Sequence, residues 1–231
     1  MRDHGFMFLQ GTSLFALNYW LFYLSELTLT SGLAAVIFST IVVMNTVNGV
    51  IFLKNRLELR VVGGAGLGLL GIMLVFWPEV TDFESGSENL FAAALAVLAT
   101  LLASVGNIAS ARNQREGIPV VQANTFGMTY GALLMLGLSW ATGREFTFEM
   151  TLPYVSSLVF LSVFASIIAF WTYLTLLGRV GVERAAYSTL IFPLVALGFS
   201  TVFEDYQWTA YAVIGILLIL TGNLLILKRS A

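Results

Sequence analysis

Apolar positions in this chain run on in long blocks, and short polar interruptions divide it into eight uncharged stretches. These are Gly5–Ser25, Leu27–Leu53, Val61–Pro78, Asn89–Ala111, Gly117–Gly143, Met150–Gly178, Ala185–Phe203 and Tyr206–Leu227. A helix rises about 1.5 Å per residue, so about 20 apolar residues cross the roughly 30 Å of bilayer hydrocarbon. The pattern predicts an all-α membrane protein of eight transmembrane helices, with short connections that make neighbours antiparallel. A transmembrane β-barrel would instead show segments of about ten residues alternating apolar and polar, and none does. The first stretch is longer than a signal-peptide core and is followed by no small-residue cleavage motif, which predicts that it is retained.

Charge orients the threading. Of eleven Lys and Arg, ten fall on the amino-terminal side: Arg2, Lys54, Arg56, Arg60, Arg112, Arg115, Arg179, Arg184, Lys228 and Arg229. Only Arg144 lies opposite. Cytoplasmic loops carry such an excess because Lys and Arg resist translocation, so both termini are predicted to be cytoplasmic. Nine acids, Glu26, Glu79, Asp82, Glu84, Glu88, Glu145, Glu149, Glu204 and Asp205, fall on the far side. With 58% hydrophobic and 10% charged residues the composition agrees, and the lipid bilayer is the first partner it implies. A net charge of −2, without basic stretches interleaved with aromatics, points away from nucleic acid. Zero cysteines exclude disulfides, thiolate metal sites and thiol catalysis.

Displaced by 151 residues, the chain matches itself. Trp20 falls on Trp171, Ala34 and Ala35 on Ala185 and Ala186, Phe52 on Phe203, Gly64 on Gly215 and Gly71 on Gly222. Spans one to three thus repeat as spans six to eight. An offset of five spans, an odd number, makes the copies cross the membrane in opposite senses, as in the inverted repeats of secondary transporters. The acidic stretch 79–88 is the one long candidate linker, between a three-helix unit at 1–78 and a five-helix unit at 89–231.

Gly66-Leu-Gly-Leu-Leu-Gly71 matches a dinucleotide fingerprint, but such a motif works only where a strand turns into a helix. Gly64, Gly68 and Gly71 instead form one helical face for close packing, with Gly215 and Gly222 as counterparts. No Asp, Glu, Lys or Arg sits at mid-span, the sole histidine, His4, lies at the amino terminus, and no triad or metal constellation exists. Catalytic residues, cofactors and metals are therefore not expected. What remains is amides and aromatics. Asn45 and Asn48 share one helical face at i and i+3. With Asn107, Gln122 and Asn124 they are expected to form a polar vestibule in the cytoplasmic half, and Asn18 lies just beyond mid-membrane. Pro193 is a candidate kink beside the solute path, because its missing N–H frees a carbonyl. Trp171, Tyr173 and Tyr187 are candidate wall residues.

Ser31-Gly-Leu-Ala-Ala-Val, Lys54-Asn-Arg-Leu, the Gly64 to Gly71 helix, Val182-Glu-Arg-Ala-Ala-Tyr, Pro193, Phe203-Glu204 and the Gly215 to Gly222 helix together resemble the EamA-type permeases of the drug/metabolite transporter superfamily. The resemblance implies a fold of two inverted five-helix halves and export of amino acids or other small metabolites across a bacterial inner membrane. It aligns the present spans with the third to tenth of that fold, giving three plus five helices. In the first copy Leu53-Lys54 stands where the second has Phe203-Glu204, and Val42 where it has Pro193. A chain lacking two opening helices is expected either to work as a carrier, alone or with a homo-oligomeric or helical partner, or to be a non-transporting subunit or remnant.

Overall fold

The computed structural model describes residues 2–84, 86–143, 147–191, 195, 198 and 208–227. Pro193 lies outside the described residues, as do Arg144, Glu145, Phe203, Glu204, Asp205, Lys228 and Arg229. Helix α1 (2–25) runs from Arg2–Thr12 through a wider π-helical segment, Ser13–Leu17, into Asn18–Ser25. Helix α2 (Ser31–Leu53) starts where the Thr30 hydroxyl caps the Leu33 N–H and is interrupted at Thr40. It ends at Lys54, whose left-handed φ of 56° breaks the helical path. There follow α3 (Leu59–Val75), the short α4 (Trp77–Thr81), α5 (Ser87–Arg115) and α6 (Val120–Ala141). Helix α7 (Leu152–Val180) carries a second π-helical segment at Leu161–Ile168, and Gly181 at φ 93° turns the chain into α8 (Val182–Thr189). The last described helix is α9 (Ala210–Leu227).

Helices α2, α5 and α7 are each long and apolar enough to cross a bilayer, and α3 and α9 are shorter apolar helices. The expected seventh stretch begins three residues earlier than Ala185, because Gly181 ends α7 and α8 starts at Val182.

Lipid removes the hydrophobic drive for helix association, so packing rests on close approach and on polar ties. Helix α5 runs through the centre against α1, α2, α6, α7 and α8. Ala92, Ala96, Ala99 and Ala103 recur on it at steps of four, three and four, all buried, and Gly106 seats Leu14 of α1. Another extensive helix pair is α3 with α9. A Cβ on Gly71 would stand 2.6 Å from the Gly215 carbonyl oxygen, and one on Gly64 would stand 2.9 Å from that of Gly222. Gly68 is filled by Leu190. A second glycine contact joins α1 to α6, where Gly11 lies against Gly127 and Gly131.

Candidate functional site

Between α1, α2, α5, α7 and α8 the helices part around a cavity of about 520 Å³. Exposed Tyr23 and Glu26 stand at its mouth with Ser31, and Leu14, Ile41, Ala103, Asn107 and Thr189 close its deep end. Aromatic rings make much of the wall: Tyr19 and Phe22 from α1, Phe38 from α2, Phe170 and Tyr173 from α7. Phe170 meets Phe15 edge-on at 4.9 Å and Tyr19 at 6.4 Å, which brings α1 and α7 together beside the space. Both π-helical segments belong to these two helices and each gives a residue to the lining, Leu14 and Ala165. A wider turn re-aims the side chains beyond it, which is why such turns recur at functional sites.

The deep end is polar where the sequence places amides. The Asn107 amide donates to the Tyr173 hydroxyl at 3.2 Å, and Asn45 lies beside the same hydroxyl while donating to the Val182 carbonyl at 3.4 Å. The Oδ1 atoms of Asn45 and Asn107 and the hydroxyl of Tyr187 are buried and take no partner among the described residues. Leaving a buried polar atom unpaired costs about 1–3 kcal/mol, so two of them, on Asn45 and Asn107, flanking the one Tyr173 hydroxyl is unusual for a purely structural core.

The expected vestibule among Asn45, Asn48, Asn107 and Asn124 is drawn differently by the structure. Asn18 and Asn107 line the cavity, and Asn45 sits beneath it. Asn48 instead donates to Ser104 at 2.8 Å, and Asn124 accepts from Gln10 at 2.9 Å, whose carbonyl in turn accepts from Asn113 at 3.1 Å. Those amides are consumed in tying α1, α2, α5 and α6 together, because pairing removes the cost of burying them. The larger open space lies towards Glu26, and a smaller, separate one of about 280 Å³ lies at the basic end among Asn55, Arg115 and Glu183. Gln122 and Trp171 are exposed, Trp171 by 49%, and Tyr187 is buried against Gly68 instead of lining the cavity. Tyr19, Phe22, Phe38 and Phe170 were not singled out by sequence, since aromatics near span ends read as interfacial anchors.

At the basic end the bundle is shut by polar contacts. Arg115 donates to the Leu53 carbonyl at 2.8 Å and to Asn55 at 2.7 Å, and Asn55 donates to Glu183 at 2.5 Å. Arg184 holds both oxygens of Glu58 at 2.9 Å. Gly49 gives the Glu183 carboxylate its seat on α2, and Gly178 gives the Gln114 amide its seat on α7. Four acids depart from the charge segregation, and each is engaged: Asp3 and Glu116 with Arg112, Glu58 with Arg184, and Glu183 with Asn55.

The sequence profile of the EamA-like transporter family matches residues 3–77 and 90–228. The chain belongs to that family. Its curated relatives include protein PagO of Salmonella typhimurium, 20% identical over 98% of this chain and 77% of PagO. An uncharacterised transporter of Archaeoglobus fulgidus is 21% identical over 89% of this chain and 71% of its own length. The uncharacterised transporter YvbV of Bacillus subtilis is 28% identical over 45% of the chain and 34% of YvbV. A protein of known crystal structure superposes with a TM-score of 0.79 at 18% identity, over 97% of this chain and 77% of that one, a likeness of fold alone. This EamA-like chain is thus a multi-pass membrane transporter and not an enzyme.

Proposed function

We propose that the protein is a secondary carrier of the bacterial inner membrane, with both termini cytoplasmic. It exports small organic metabolites, amino acids being the class the family resemblance suggests, by alternating access. In this reading eight spans form two inverted units, 1–78 and 89–231, joined by the acidic linker 79–88. The observation that carries it is the one-ended cavity: aromatic walls open past Glu26, while the opposite end is tied shut through Arg115, Asn55 and Glu183. A carrier needs a space reachable from one side at a time, with a closure that can be exchanged.

The glycine pairing supports the inverted repeat. The offset of 151 makes Gly64 the counterpart of Gly215 and Gly71 that of Gly222, yet Gly64 packs on Gly222 and Gly71 on Gly215. Such reciprocal exchange is what a two-fold axis demands.

Ala165 is exposed on the cavity wall, so Ala165→Trp fills the space without disturbing the core. Efflux of a preloaded metabolite mixture from cells carrying the parent, Ala165→Trp or empty vector is the test. The parent is expected to exceed vector and the variant to match it. Equal efflux from parent and Ala165→Trp would remove the cavity from the path, and a parent no better than vector would leave a non-transporting subunit. The chain contains no cysteine, so orientation is read separately. A cysteine at Ser87 should react with an impermeant thiol reagent from outside, and one at Leu57 should not.

A further inference from the structure

The chemistry of the cavity narrows the solute, and this step rests on the cavity being the solute site. None of the described lining residues is basic, and the one charged residue among them is Glu26 at the mouth. An anion entering this space would lose its hydration with only neutral hydroxyl and amide donors, and no cation, among the described lining residues to replace it. At the deep end the Asn107 carbonyl oxygen has no partner among the described residues, although the residue is 1% exposed and its amide nitrogen is fixed by Tyr173. Between mouth and floor stand the faces and edges of five rings, a surface that favours flat apolar bodies and attracts ammonium groups.

We propose that the cavity selects a protonated amine carried on an aromatic or comparably apolar body, without a free carboxylate. Asn107 determines that selection by accepting the ammonium N–H, and Glu26 raises the local concentration of cations at the mouth. The orphan oxygen accounts for a donor on the solute, the acidic mouth for a positive charge and the rings for the body. The cavity volume comfortably exceeds that of a phenylethylamine. Amino acids fit the same walls, but their carboxylate meets no counter-charge on the described lining.

Four probes separate these terms on the full-length protein in detergent: 2-phenylethylamine, its N,N,N-trimethyl analogue, phenylalanine and 3-phenylpropionate. Ligand-induced rise of the melting temperature reports binding. 2-Phenylethylamine should bind about tenfold or more tightly than the trimethyl analogue, the scale set by one hydrogen bond to a charged donor. Phenylalanine should be weaker still, and 3-phenylpropionate should produce no shift. Asn107→Leu should bring 2-phenylethylamine down to the level of its trimethyl analogue. The comparison of ligands on the parent protein needs no variant, so a poorly folding Asn107→Leu leaves the proposal open to refutation. Equal binding of the two amines, binding of phenylalanine or phenylpropionate as tight as that of the amine, or no shift with any probe would each overturn it. Efflux of the same amine is measured separately. Binding without efflux would sink the carrier reading alone, and efflux of other solutes without amine binding would sink only the selectivity.

Discussion

The two ends of this bundle solve the same problem oppositely. At the Glu26 end, helices α1, α2 and α7 stand apart and present rings, small residues and few polar ties. At the basic end the same helices are bound by amide, carboxylate and guanidinium contacts, with glycines at Gly49 and Gly178 letting the polar groups reach neighbouring backbone. The lesson concerns where polar residues earn their place in a membrane protein. A buried amide that finds another amide becomes a structural tie, as Gln10 does with Asn113 and Asn124. One left half-satisfied at the edge of a space, as Asn107 is, retains bonding capacity for something else.

The comparison can be broken most severely through the glycine seam that runs between the ends. Gly71→Leu drives a side chain into the Gly215 backbone, which cannot rotate away, and should cost about 3 kcal/mol or more. Gly66→Leu, where a Cβ meets nothing within 4 Å, should melt like the parent. Thermal unfolding in detergent with size-exclusion analysis checks both, and equal melting of the two variants would show that the seam does not hold the bundle.

A smaller effect tests whether amides at the two ends differ in kind. Gln10→Leu strands Asn113 and Asn124 and should lower stability by about 2 kcal/mol, whereas Asn18→Leu on the cavity wall should cost under about 1 kcal/mol. Were Asn18→Leu the more damaging in a melting experiment, the cavity amide would be the structural one.

Two further changes sharpen the account of the closed end. Gly49→Val should expel the Glu183 carboxylate from α2 and increase labelling of a cysteine at buried Thr46 several-fold, with little loss of folded protein. Unchanged labelling would mean that the Asn55–Glu183 contact closes nothing. The smallest effect belongs to Arg184→Glu, since a partly exposed ion pair is worth about 1 kcal/mol or less. Adding Glu58→Arg should restore the melting temperature, and failure to do so would place the contribution of Arg184 outside that pair.

Much of the all-helical architecture is legible in the uncharged runs, since a span must satisfy its backbone internally and so announces itself by composition. Helix α2 starts a few residues later than the uncharged run, where Thr30 caps it, whereas it ends at Leu53 as the run does. Partnership is far less legible. Asn45, Asn48, Asn107 and Asn124 share a depth, but depth leaves rotation about the helix axis open, and rotation decides whether an amide meets Ser104, Gln10 or a cavity. Gln10 gives no signal of its own because its meaning depends on helices over a hundred positions away, and Asn113 is hidden within the polar run Arg112-Asn113-Gln114-Arg115. The α1–α6 contact did leave a trace, Gly127 and Gly131 spaced by four, which repeat matching with its eye on Gly64 and Gly215 passes over.

The seam between α3 and α9 also has an entropic side. Where backbone lies on backbone there are no side-chain rotamers to freeze, so close packing there opposes folding less than interdigitated leucines would. By the same token the backbone contacts themselves cannot repack into a second arrangement, and the side chains beside them, Ile226, Ile219 and Val75, are β-branched and stiff at χ1. Relative displacement is therefore cheapest away from the seam, where Phe15, Phe22, Phe38 and Phe170 separate α1, α2 and α7 and can exchange partners by turning about χ1. Phenylalanine rings around two helices held backbone to backbone put the bundle's rotatable aromatic contacts at the walls of its own cavity.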